Sequence, residues 1–151
     1  MIPNFKAHPW HGISAGTDVP NVVNVFVEIV PSDTIKYEID KQSGYLKVDR
    51  PQQFSNIIPA LYGFIPRTYC HDEVLKLAIE SGADDVETGD LDPLDICVLS
   101  SHNIHAGGML MEAIPIGGFK MIDKGEADDK IVAVMKGDHA FGHFRDITEL
   151  P

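Results

Sequence analysis

Three carboxylates, Asp90, Asp92 and Asp95, fall within six residues, directly ahead of the apolar run Ile96-Cys97-Val98-Leu99. In an extended chain, side chains two apart share a face, so Asp90 and Asp92 converge. Asp95 has the wrong parity unless Pro93 turns the chain, and such a turn gathers all three around one point. Anions that close repel strongly in a partly dry site, so a positive partner must sit among them. Oxygen donors without cysteine or histidine among them favour Mg²⁺, Mn²⁺ or Ca²⁺ over zinc. DxD spacing alone reads most simply as a solvated acidic loop. An EF-hand does not fit, because Pro93 takes the fourth position of the loop and no glycine stands at the sixth. A second acidic set, Asp123, Glu126, Asp128 and Asp129, closing on Lys130, shifts the balance toward a cation site.

Other residue types suited to chemistry are more scattered. Lys36 and Glu38 share one face of an alternating segment, which by itself is ordinary solvent-facing strand charge. Tyr62 stands in a short aromatic segment and alone reads as a packing tyrosine. His8 and His11 lack a carboxylate partner at ligand spacing, so they read as structural or surface residues. His102 and His105 fall in a turn and are expected at the surface.

The elements that must carry these groups are mostly strands. Residues 1–21 show no clear period and are expected to form an N-terminal arm, with Trp10 packed on the body. Residues 22–151 are expected to form one domain. Alternation predicts strands over Val22–Val30, Thr34–Asp40 and Tyr45–Arg50, joined as a meander through a turn at Lys41–Gly44. An irregular stretch over residues 51–59 leads into Ala60–Pro66. Helical spacing over Asp72–Ser81 predicts a helix capped by Asp72 and stopped at Gly82. Strands follow at Leu94–Leu99, at Met109–Ile116, and at Lys130–Met135. Gly117-Gly118 is expected to interrupt the middle one before it continues over Phe119–Ile122. Short strands, one inserted helix and glycine bends predict a mainly β (α+β) fold, an OB-like five-stranded closed or partly open barrel.

Composition bounds the function classes. The chain has 151 residues, 44% hydrophobic and 23% charged, as expected of one globular domain with a real core. A net charge of −11 argues against a nucleic-acid or anionic-membrane binder. It leaves room for an anionic substrate, because bound divalent cations invert a local field. Cys70 and Cys97 form no CxxC and are expected as idle thiols in a reducing cytoplasm. No apolar run is long enough to span a bilayer, so a cytoplasmic protein is expected.

Taken in order, these blocks resemble the soluble inorganic pyrophosphatases of the first family. The resemblance runs from Glu28 to the end. It rests on Glu28, Ile35-Lys36-Tyr37-Glu38-Ile39-Asp40-Lys41, Val48-Asp49-Arg50, Tyr62-Gly63, Asp90 through Asp95, and Asp123 through Lys130. His8-Pro9-Trp10-His11-Gly12 and Pro51-Gln52-Gln53-Phe54-Ser55 further resemble the branch found in some bacteria and organelles.

The resemblance implies Mg²⁺-dependent hydrolysis of inorganic pyrophosphate to two orthophosphates, with Mn²⁺ as a possible substitute. It implies that Asp90, Asp95 and Asp128 bind the first metal, with Asp95 shared by a second. It gives Asp92 the attacking water, Asp123 the metals that arrive with substrate, and Glu28 and Glu38 a supporting place in that shell. Lys36, Arg50 and Tyr62 would grip phosphate oxygens, and Lys130 would steady the acidic loop or the substrate. Two cations bridged by one water would lower its pKa and place hydroxide in line with the phosphorus, with no covalent intermediate. Family members form dimers or hexamers, so a homo-oligomer is implied as well.

Three departures qualify the resemblance. Leu91 stands where a small or polar residue is usual, and leucine resists φ > 0, so a distorted acidic loop is expected. Ile58 replaces a frequent tyrosine. The family continues past the position of Pro151 into a helix that supplies a Tyr-Lys pair. A chain without it is expected to bind phosphate more weakly while keeping its metal, and to be either a shortened product or covered by association. The alternative function is a catalytically impaired relative that binds metal or pyrophosphate, or serves as an assembly subunit. An OB-fold nucleic-acid binder is disfavoured by the charge of −11 and by the lack of a basic aromatic groove.

Overall fold

The computed structural model describes residues 5–53 and 58–151. Its strands are β1 (Val23–Ile29), β2 (Ile35–Ile39), β3 (Leu46–Pro51), β4 (Leu61–Phe64), β5 (Thr88–Gly89), β6 (Asp95–Leu99), β7 (Met109–Phe119), β8 (Ile122–Asp123), β9 (Glu126–Ala127) and β10 (Lys130–Met135). One helix, α1 (Asp72–Glu80), lies between β4 and β5, and a 3-10 turn (Ile147–Glu149) follows β10.

Five strands close a barrel in the order β1-β4-β6-β10-β7, returning to β1. All neighbours are antiparallel except β6 and β10, which run parallel. The expected five-stranded barrel is therefore present, and it is closed. Its interior is made of β-branched and small residues that suit a tight pleated wall: Val25, Val27, Ile96, Val98, Ala113 and Ala133 have no exposed surface. A second cluster, Trp10, Phe26, Ile39 and Phe64, lies on the outer face of β1 and β4, so Phe26 is buried on the side opposite Val25 and Val27. Trp10 also donates its indole N–H to the Thr68 carbonyl at 2.7 Å, which fixes it against the body.

Several sequence expectations are corrected. The first three strands do not form a meander. β1 pairs with β4 and β7, whereas β2 and β3 form a separate hairpin that shares no ladder with the barrel. Gly117-Gly118 does not interrupt β7. The strand runs through the glycines, and the slip falls at Ile116, which has no partner between Val132↔Gly117 and Ala133↔Pro115. The acidic stretch Asp123–Asp129, which its composition predicts as a loop, instead forms a tight hairpin with Asp123 opposite Glu126. Its turn, Lys124-Gly125, has both residues at positive φ (51° and 80°), the combination that a two-residue turn needs to match strand twist.

Helix α1 starts one residue earlier in capping than expected. His71 occupies the N-cap without a side-chain cap bond, and Asp72 stands in the first turn, where its charge complements the helix dipole. Gly82, at φ 93°, follows the helix as expected. Residues 54–57 of the expected irregular stretch, and residues 1–4 of the arm, lie outside the described residues. Both cysteines are unpaired, and burial pushes the Cys70 thiol up to about 12. Among the described residues, no helix is long and apolar enough to cross a membrane.

Candidate functional site

Two parallel pairings bring the acidic segments together. In β6 and β10, Asp95 and Lys130 are register partners. In β5 and β9, Gly89 pairs with Ala127, so the next residues, Asp90 and Asp128, leave their strands side by side. Asp128 precedes Lys130 by two and shares its face, and Lys130 Nζ donates to both Asp128 Oδ1 and Asp95 Oδ2 at 2.7 Å. Oxygen atoms of Asp90, Asp95 and Asp128 lie within 4.8 Å of one another. Residues 33 or more apart in sequence thus meet at one end of the barrel.

The chain between Asp90 and Asp95 is held at nearly every residue. Asp90 N–H donates to the Ala127 carbonyl at 3.2 Å, and Leu91 N–H to the Cys70 carbonyl at 3.0 Å. Cys70 N–H returns to the Asp92 carbonyl at 2.9 Å, and Leu94 N–H reaches Thr68 Oγ1 at 2.8 Å. Asp90 Oδ1 accepts from Asp92 N–H at 3.0 Å, a local side-chain turn that fixes one carboxylate. Gly89 packs so close that a Cβ there would lie 2.2 Å from the Cys70 carbonyl oxygen. Leu91 takes φ 61°, a left-handed conformation unusual for leucine, while its side chain remains 42% exposed. The backbone bonds around it hold the leucine in the strained conformation.

A cleft of about 240 Å³ opens at this end of the barrel. Of the residues expected in a site, Glu28, Lys36, Glu38, Tyr62, Asp90, Asp92, Asp95, Asp123, Asp128 and Lys130 all line it. Arg50 does not. It faces Lys36 across the hairpin, is largely exposed, and has Nε 3.9 Å from Asp49 Oδ2. Lys36 Nζ lies 3.5 Å from the same Asp49 oxygen. Sequence reasoning missed Tyr37 and Lys41, which also line the cleft. Lys41 reads as a turn residue, and only its position directly after an alternating strand hints that it reaches the same rim.

Glu28 enters by a different device. Its neighbours Val27 and Ile29 pair with Gly63 and Tyr62, so Glu28 is the bulged residue of β1. A bulge at a barrel rim re-aims a side chain. Glu28 is only 6% exposed, and its Oε2 accepts from Ile39 N–H at 2.7 Å.

The electrostatics follow from crowding. Eight carboxylates and three lysines line the cleft. Burial pushes the Glu28 carboxyl up to about 8, with the Asp95 and Glu38 charges adding to it and the Ile39 N–H opposing. Burial also raises Asp90 to about 7, with Asp128 and Asp92 adding their repulsion. Asp95 is raised by burial against the pull of the Lys130 ammonium. Burial works against the Lys130 charge, but Asp95 and Asp128 overcome it and hold the ammonium above its ordinary value. Tyr62 is raised by burial and the Asp95 charge, and its ring lies 5.8 Å from Lys130 Nζ. Such a surplus of anions repels an anionic ligand unless cations join it. The all-oxygen trio of Asp90, Asp95 and Asp128 fits a hard divalent ion.

Comparison with known proteins places this geometry in context. The family model described as inorganic pyrophosphatase matches residues 25–151, a span that contains every cleft residue named above. The inorganic pyrophosphatase of Chlamydia muridarum is 49% identical over 149 residues, which is 99% of this chain and 71% of that protein. The soluble inorganic pyrophosphatase of Zea mays is 42% identical over 147 residues, 97% of this chain and 60% of that protein. Among solved structures, the inorganic pyrophosphatase from Thermus thermophilus superposes with a TM-score of 0.77 at 30% identity, covering 96% of this chain and 72% of that one.

Proposed function

Because the chain belongs to the inorganic pyrophosphatase family, we propose that it hydrolyses inorganic pyrophosphate to two orthophosphates at this cleft. The observation that carries the reading is the meeting of Asp90, Asp95 and Asp128, from two distant segments, within 4.8 Å. These three residues are the ligands for a divalent cation, Mg²⁺ with Mn²⁺ as a substitute, and Asp123, Glu28 and Glu38 support the rest of the shell. When bound, such cations supply positive charge for the substrate and lower the pKa of a water.

Asp92 takes the proton of the attacking water. The new P–O bond forms as the bridging P–O–P bond breaks, and the second phosphate leaves. Lys36, Tyr62 and Lys130 hold phosphate oxygens from the cleft walls, and Arg50 does so from the hairpin edge, stabilising charge as it moves to the leaving group. Glu28, protonated over much of the neutral range by its burial, adds no net charge to the crowded cleft in the absence of a cation.

The same reading makes residues 22–151 the catalytic unit and residues 1–21 an arm packed on it through Trp10. It makes the protein a cytoplasmic homo-oligomer, dimer or hexamer. The two unpaired thiols support the compartment, and the exposed apolar side chains Leu110, Phe119 and Ile122 support association. The test is phosphate release from pyrophosphate with Mg²⁺, repeated on Asp92→Asn. The variant is expected to lose roughly 10²–10⁴-fold in turnover. Retention of most of the activity removes Asp92 from the role of base. Pyrophosphate binding without any phosphate release replaces the reading with a non-catalytic binder.

A further inference from the structure

The hairpin of β2 and β3 carries Lys36 and Glu38 to the cleft, yet no ladder ties it to the barrel. What holds it is gathered at one end, where β2 stops. Ile39 N–H donates to the buried Glu28 carboxylate at 2.7 Å, and Ile39 and Leu46 pack with Trp10 and Phe64. His8 Nε2 lies 2.9 Å from the Lys41 carbonyl. Gly44 packs on the arm so closely that a Cβ would lie 2.8 Å from Pro9 Cδ. Beside these supports, at the cleft that both residues line, the Lys41 ammonium sits against Asp92 Oδ1. It is the one link in this group that joins the hairpin to the Asp90–Asp95 loop.

Asp92 has few other side-chain restraints. Its N–H and carbonyl are fixed by Asp90 and Cys70, but these bonds hold the backbone, not the carboxylate. The side chain that is proposed to receive a proton is therefore aimed by Lys41. We propose that Lys41 is a positioning residue for the hydrolysis proposed above: it orients the Asp92 carboxylate and at the same time latches the β2–β3 hairpin to the acidic loop. Lys41 is half exposed, with 55% of its side chain accessible, so its pairing contributes modestly to global stability. Its effect falls on geometry, where a displacement of about 1 Å costs up to about 10²-fold in rate. A lysine that instead gripped substrate would act mainly on affinity.

The test uses the full chain and the variants Lys41→Met and Lys41→Arg, read in two ways. In steady-state hydrolysis of pyrophosphate with Mg²⁺, Lys41→Met is expected to lower kcat about tenfold with KM changed less than about twofold, and Lys41→Arg to recover most of the loss. In amide hydrogen exchange without added divalent ions, Lys41→Met is expected to speed exchange at the amides of residues 41–44 and 90–95, leaving the barrel strands unchanged. A large rise in KM with kcat kept makes Lys41 a substrate ligand and overturns the proposal. So does unchanged kcat, or unchanged exchange in both segments. If wild-type chain releases no phosphate, the hydrolytic reading fails by itself, and the exchange experiment still decides whether the latch exists.

Discussion

Lys130 Nζ lies 2.7 Å from Asp95 Oδ2, and these two residues are register partners across the parallel pair β6 and β10. The barrel ladder itself therefore sets an ammonium among the carboxylates, where it also reaches Asp128 at 2.7 Å. Both acidic partners have about a fifth of their side chains exposed, so the contacts are only partly screened. Lys130→Met is expected to lower stability by about 1–3 kcal/mol in the absence of divalent ions. Added Mg²⁺ should restore part of that loss, because a ligand that binds only the folded state stabilises it. Urea midpoints with and without Mg²⁺ measure both. A variant as stable as wild type in both conditions would show that the ammonium does not hold the cluster.

Glu28 gives the stability a pH dependence that runs from mildly acidic pH through neutrality. Its carboxyl is raised to about 8 in the fold from an ordinary 4.5, chiefly by burial. The folded protein then keeps a proton that the unfolded chain gives up. The contribution is complete below the unfolded value, declines as pH rises, and is gone once pH passes the folded value. Asp90, raised to about 7, adds in the same direction. Without divalent ions, melting temperature is expected to fall between about pH 4.5 and pH 8, and Glu28→Gln should flatten that fall. An equally steep profile in the variant would assign the effect elsewhere.

Asp138 acts on the acid side, away from the cleft. It is 5% exposed, and its two oxygens accept from Ser100 Oγ, Ser101 N–H and Oγ, Ala140 N–H and Phe141 N–H at 2.8–3.0 Å. Burial alone would raise its pKa, but the backbone N–H groups of Phe141 and Ser101 and both serine hydroxyls hold it well below the usual range. Its contribution is present above the ordinary carboxylate value and is lost as pH falls toward the depressed one. Asp138→Ala should cost about 2–4 kcal/mol at neutral pH, because it orphans several donors. Denaturant unfolding at pH 7 and pH 3 checks it, with a smaller difference expected at the lower pH.

Leu91 stores strain where the loop needs a left-handed residue. With φ 61° and a side chain 42% exposed, it loses little packing on removal. Leu91→Gly should relieve about 1–2 kcal/mol of backbone strain and give back about 0.5–1 kcal/mol in unfolded-chain entropy. A net gain of up to about 1 kcal/mol in the urea midpoint is expected, with phosphate release within about twofold of wild type. A destabilised variant would mean that the leucine side chain packs more than its exposure shows.

The local signals were legible because they depend on neighbours in the chain. Alternation marked β1, β2 and β3, and apolar runs after Asp95 and after Lys130 marked β6 and β10. The oxygen-only character of Asp90, Asp92, Asp95 and Asp128 already pointed to a hard cation. The same local rules misread the hairpin of β2 and β3 as part of a meander, because alternation shows that a segment pairs but not with which partner. They placed a break at Gly117-Gly118 because glycine weakens a strand in isolation, whereas pairing with β10 carries β7 through it.

The sequence by itself determined the inventory: the longer barrel strands, which donors are available, and that carboxylates outnumber cations, though not the two-residue strands β5, β8 and β9. Only the tertiary structure decided who meets whom. Parallel register set Asp95 beside Lys130 and Asp90 beside Asp128, a bulge turned Glu28 into the cleft, and Lys41 reached Asp92 across a gap of 51 positions. Register between distant strands is fixed by the packing of a whole closed barrel, and no run of neighbouring residues encodes it.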